Sequence, residues 1–121
     1  VPFSRTRPFT DPVACAARVK LERVRVDAVD AVQVQAMAQR HANSMAARRS
    51  MDHGGFYSER GPRGARAENV AYGCATESCA MRMWENSGGH RANMLLTDVK
   101  AYGLASASGG RDRYWCLIVG R

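Results

Sequence analysis

Two strand-sized apolar segments near the C-terminus constrain this chain more than any other feature. Tyr102-Gly-Leu-Ala-Ser-Ala-Ser108 and Tyr114-Trp-Cys-Leu-Ile-Val119 are separated by Ser108-Gly-Gly-Arg-Asp112. Paired glycines beside Asp are turn chemistry, so the pattern predicts an antiparallel hairpin. Far upstream, Val34, Met37, Ala38, His41 and Met45 recur at helical spacing, with Gln35, Gln39, Asn43 and Arg49 off that stripe. A helix ending near Arg48 is expected. Asp27 and Asp30 are candidate starts, and Asp30 with Gln33 has the spacing of a capping box. Strands and helices together make one α+β domain, without internal repeats or a linker.

The remaining chain is punctuated rather than periodic. Residues 1–12 carry Pro2, Pro8 and Pro12 and read as an extended lead-in; Val19 to Val26 is ambiguous. His53-Gly54-Gly55 breaks the long helix, and residues 54–66, rich in Gly, Pro and Arg, read as a surface loop. Thr76 or Ser78 can cap a second helix, expected to carry Ala80, Met83 and Trp84 inward and to stop at Gly88-Gly89.

At 121 residues the chain has the size of one domain. No apolar run approaches the roughly 20 residues of a membrane helix. It begins Val1-Pro2-Phe3, which reads as a mature or trimmed product whose export signal is out of view. The net charge is +7, carried almost wholly by arginine, with Lys20 and Lys100 the exceptions. The arginines are scattered and no aromatic residues interleave with them as stacking platforms, so a solvated basic surface is preferred over a nucleic-acid site.

Four cysteines, Cys15, Cys74, Cys79 and Cys116, show no zinc-finger spacing. An even count in a small chain fits two disulfides in an oxidising compartment, and four buried thiols are the other reading. Chain proximity favours Cys74–Cys79, which leaves Cys15–Cys116. The chain is expected to be secreted or periplasmic.

His53 and His90 each sit beside glycines at the end of a helical segment, and Glu68 opens the segment that leaves the flexible loop. Ionisable groups at such junctions are common functional positions. No H-E-x-x-H, G-x-S-x-G or Cys–His signature is present. His41, on an apolar helix stripe, is expected to be packed. Trp84, Met37, Met45 and Tyr114-Trp115 are core or edge-of-core residues, and Tyr72 either lines a cleft or packs.

"AENVAYG" (67–73), "MWENSGGHRANML" (83–95), "YGLASA" (102–107) and "RYWCLIVG" (113–120) occur in order. Together they resemble the CAP superfamily of cysteine-rich secretory proteins, antigen 5 and plant pathogenesis-related 1 proteins. The likeness is greatest to its bacterial SCP-like extracellular branch. "AQRHANSMAARRSMDHGGF" (38–56) is similar to that family's first long helix and the histidine after it. The resemblance covers roughly residues 30–120; residues 1–29 match nothing, which suggests an N-terminal segment followed by a domain over 30–121.

The resemblance implies a three-layer α-β-α sandwich with a small antiparallel sheet and a cleft holding two histidines and two acids. The histidines map to His53 and His90 and the first acid to Glu68. The second acid's position, three after the helix Trp, is Ser87 here. Glu85 does not substitute, since two helical positions rotate a side chain by about 200°. Gly88-Gly89 would end the Trp84 helix and turn His90 into the cleft, with Arg91 outward and Asn93 bonding backbone within the turn. His90 is then a metal ligand or a structural histidine.

The function expected is a secreted CAP domain whose cleft binds a small molecule, lipid or cell-envelope component, with zinc or another divalent metal on His53 and His90 and Glu68 behind one imidazole. The rivals are a metal-assisted hydrolase with Glu68 as general base, with Ser87 and His90 as a further candidate pair, and a structural envelope module.

Overall fold

The computed structural model describes residues 17, 18, 20, 21 and 28–121. The proline-rich lead-in, Asp27 and Cys15 lie outside the described residues. Helix α1 runs Ala28–Arg48, followed by a single π-helical turn, Phe56–Arg60. Strand β1 is Ala65–Tyr72, helix α2 Glu77–Glu85 and helix α3 Gly88–Met94. Strands β2, Ala101–Gly109, and β3, Asp112–Gly120, form the expected hairpin. The sheet order is β1-β3-β2, antiparallel throughout, so β3 is central and β1 and β2 are its edges.

Alternation along β3 sorts the core into two layers. Tyr114, Cys116 and Ile118 face α1 and pack with Val34, Met37, Ala38, Ala42 and Met45. Trp115, Leu117 and Val119 face the other way and pack with Ala80, Met81, Trp84 and Met94 from α2 and α3. The result is a three-layer α-β-α sandwich of the α+β class, as the sequence predicts. Ala17 and Leu21 belong to the second layer, so residues before position 30 contribute to this core.

Helix α1 approaches β2 so closely that a Cβ on Gly103 would lie 2.5 Å from Gln35 Cα. That contact lets Gln35 serve the edge strand: its Nε2 donates to Leu104 O at 2.7 Å and its Oε1 accepts from Leu104 N at 2.9 Å. Gln39 Nε2 donates to Ser106 O at 3.0 Å. Both glutamines lie off the apolar stripe because they cover the open edge of β2.

Several local expectations are corrected. Asp30 lies inside the first turn of α1 rather than capping it. Residues 54–66 are not a plain surface loop, since the π-helical turn buries Arg60. Thr76 caps α2, its hydroxyl accepting from Cys79 N, but Met81 is buried and Met83 exposed, because the inward face is one step out of the expected phase. Gly88-Gly89 opens α3 instead of closing α2.

Cys74 and Cys79 form a disulfide. Cys116 is a free, buried thiol; Cys15, its expected partner, lies outside the described residues.

Candidate functional site

The site forms along the free edge of β1, where elements from both layers meet. Glu68 points toward α1 with Val70, and Asn69 points toward α3. The Glu68 side chain is 1% exposed although it is a carboxylate. A buried anion requires a partner, and the π-helical turn supplies one. Arg60 donates Nε to Glu68 Oε2 at 2.6 Å and Nη2 to Oε1 at 3.0 Å. The remaining guanidinium protons reach main chain: Nη1 donates to Gly54 O at 3.0 Å and Nη2 also to His53 O at 3.3 Å. One arginine therefore neutralises Glu68 and fixes the backbone that carries His53.

His53 Nδ1 lies 2.8 Å from Glu68 Oε1. An ionised carboxylate only accepts, so Nδ1 carries a proton, and the tautomer this bond selects has Nε2 as its open nitrogen. The His53 side chain is 54% exposed, so the ring is open to solvent. His41, buried on α1, donates Nε2–H to Asp52 O at 2.7 Å and comes within 3.9 Å of Glu68 Oε1. It is a packed histidine that holds the main chain next to His53, in keeping with its place on the apolar stripe.

His90 lies in the first turn of α3, half-buried. Partial burial holds its pKa below the ordinary histidine value, and the nearby His53 ring adds to the effect. The ring is thus neutral near pH 7. Asn69 Nδ2 donates to His90 O at 3.0 Å, and Asn93 Nδ2 donates to Asn69 Oδ1 at 2.9 Å. Asn93 ties α3 to β1, where backbone bonding within a turn was expected.

His53, Glu68 and Asn93 line a cavity of about 360 Å³ with Phe56, Tyr57 and Arg66. The structure thus brings His53 and Glu68 into contact, whereas His90 is not among the residues that line this cavity. Ser87 occupies the N-cap position of α3, its hydroxyl makes no hydrogen bond to His90, and no serine–histidine pair forms. Glu85 is buried elsewhere, held by Arg18 at 2.8 Å, so it adds no acid to the site. Arg91 does not simply point outward: Nη1 donates to Glu85 O at 3.2 Å. Tyr72 stacks on Tyr114, away from the cavity lining.

No group of three or more potential metal ligands exists among the described residues. The described residues therefore offer no closed structural metal site, which needs about four protein ligands.

Arg60 is the residue that sequence reasoning missed. Its only signal is indirect: a glutamate directly before the apolar run Asn69-Val70-Ala71 needs a buried cation. No curated protein matches the chain. A family model described as the cysteine-rich secretory protein family, CAP, matches residues 30–119, and its span takes in both histidines, Glu68 and all three strands. The chain belongs to the CAP family.

Proposed function

We propose that this is a secreted CAP domain that works by binding a ligand in the His53–Glu68–His90 cleft, with a divalent cation held weakly by the two imidazoles. The observation that carries this reading is the 2.8 Å bond from His53 Nδ1 to Glu68. It leaves His53 Nε2 as a free, solvent-open ligand atom, and His90 is the second imidazole of this reading. A carboxylate behind a metal-binding histidine fixes its tautomer and raises its basicity. The cation, when bound, would polarise an oxygen of the ligand. The chain's own residues orient the imidazoles and exclude water from Glu68. The disulfide supports an extracellular setting.

Catalysis by Glu68 as general base fits less well. Both its oxygens accept from Arg60, and the side chain is 1% exposed, so neither oxygen is open to take a proton from a bound water. Zinc calorimetry on wild type, His53→Ala and His90→Ala, at neutral and mildly acidic pH, tests the reading. Weak binding is expected in wild type at neutral pH. It should be lost in both variants and fade as pH falls through the histidine range, because protons compete for the rings. Binding that survives both substitutions, or none at millimolar zinc, overturns the metal and leaves a cleft held by hydrogen bonds.

A further inference from the structure

The arginines that look scattered in the sequence are not scattered in the fold. Arg40 and Arg48 from α1, with Arg60 and Arg63 from the segment after it, line one cavity of about 390 Å³. It lies on the α1 side, and its lining does not include His53, Glu68 or Asn93. Four guanidiniums meet two carboxylates there, Asp52 and Glu59. Two of the four are committed. Arg48 holds Asp52 through Nη1 at 2.7 Å and Nη2 at 3.3 Å, and Arg60 holds Glu68 from below. Arg40 and Arg63 have no carboxylate partner among the described residues.

We propose that this cavity binds a tetrahedral oxyanion, a phosphate or sulfate group, clamped between the uncommitted guanidiniums of Arg40 and Arg63. Guanidinium forks match such oxygens with paired charge-assisted hydrogen bonds. The frame is already fixed. Arg48–Asp52 ties the end of α1 to the following loop, and Arg60 holds Gly54 O at 3.0 Å. Glu59, a lining acid with no ion pair among the described residues, opposes an anion and limits its charge and its affinity. The same group could arrive as free phosphate or as the headgroup of an anionic lipid, and the test separates these sources.

Inorganic phosphate is titrated by calorimetry in low-salt buffer into wild type, Arg40→Gln, Arg63→Gln, Glu59→Gln and, as a control of equal charge change, Arg111→Gln on the β2–β3 turn. In parallel, the same proteins are floated with phosphatidylcholine vesicles with and without phosphatidate. Saturable phosphate binding is expected, weakened about tenfold by Arg40→Gln and by Arg63→Gln, as the loss of one charge-assisted contact implies. Glu59→Gln should tighten it and Arg111→Gln should leave it unchanged. Vesicle capture that follows the same pattern assigns the lipid source; capture absent with free binding intact assigns the soluble one. No saturable binding of either form overturns the proposal. So does a loss from Arg111→Gln as large as that from Arg40→Gln, which would reduce the effect to net charge.

Discussion

Arg60 and Glu68 form a two-point ion pair in the interior, with the Arg60 side chain 10% exposed and that of Glu68 1% exposed. It joins a one-turn π-helix to an edge strand, and it sits directly beneath His53. Single π-helical turns recur at functional sites because they re-aim a side chain locally. Here the turn sends Arg60 inward while Tyr57 stays 90% exposed.

Breaking this pair from one side should be severe. Arg60→Met leaves a buried carboxylate without its counter-charge, and a loss of about 3–5 kcal/mol is expected. Arg60→Lys should recover only part of it, since an ammonium cannot reproduce the forked contact. Urea unfolding of the three proteins measures this. A loss below about 1 kcal/mol for Arg60→Met would place the pair with ordinary surface bridges.

The core makes a contrasting pair. Trp84 is almost wholly buried and its Nε1 donates to Val70 O at 3.1 Å, so it fills space between α2 and β1 and satisfies a strand carbonyl. Trp84→Ala should cost about 3–5 kcal/mol. His90→Ala should cost far less, because the ring is only half-buried and Asn69 holds the His90 main chain rather than its side chain. Thermal melts that rank the two in the opposite order would make His90 a structural peg.

What could be read from sequence followed local physics. Helical spacing placed the end of α1 at Arg48, and turn residues placed the hairpin. Gly88-Gly89 misled because glycine signals a break without saying whether a helix ends or begins there. The break proper falls at Asn86 and Ser87. Met81 and Met83 are interchangeable in composition, so only the phase of α2 against the sheet separates them. Arg60 was hidden for a different reason. Nothing local distinguishes it from Arg63 or Arg66, and only folding places it against Glu68.

The two kinds of cysteine should behave differently. The Cys74–Cys79 bond closes a loop of sequence separation 5, for which loop-closure entropy gives about 2 kcal/mol. Cys74→Ser/Cys79→Ser should lose about that much in urea unfolding. Cys116, 3.9 Å from Glu68 Oε2, has its thiol pushed well up by burial and by the nearby carboxylate. Alkylation followed by peptide mapping should find it unmodified in the folded protein and modified after denaturation. Rapid native labelling would contradict the layer assigned to β3.

Acid should cost stability through Asp52, whose carboxylate is held below the ordinary range. Hydrogen bonds from Arg48, and next from Gly54 N–H, lower its pKa from 3.8 to about 2. A depressed carboxylate contributes stability above its unfolded pKa and loses it as pH falls through the folded one. Asp52→Asn should therefore melt below wild type at pH 5 to 7, with the gap closing between about pH 4 and pH 2. The gap should be small, because the pair is solvent-screened. A gap that persists unchanged at pH 2 would trace to the uncharged contacts of the loop.

His90 acts in the same direction, at higher pH. Partial burial first, and the His53 charge second, hold its pKa below the ordinary value of 6.5. Above that value the ring is neutral in both folded and unfolded chains and contributes no pH dependence. As pH falls below it, the unfolded chain takes up the proton first, so stability declines until the lower, folded pKa is reached. Replacing His90 with Gln should flatten this part of the acid limb. The cause can be separated by proton NMR titration of the His90 ring. In wild type its midpoint should lie below 6.5, and in His53→Asn it should move up only part of the way, since the burial remains. A wild-type midpoint at or above the ordinary value, or one indifferent to His53→Asn, would mean that the two imidazoles do not share the cleft, and the paired-ligand reading of His53 and His90 would fall with it.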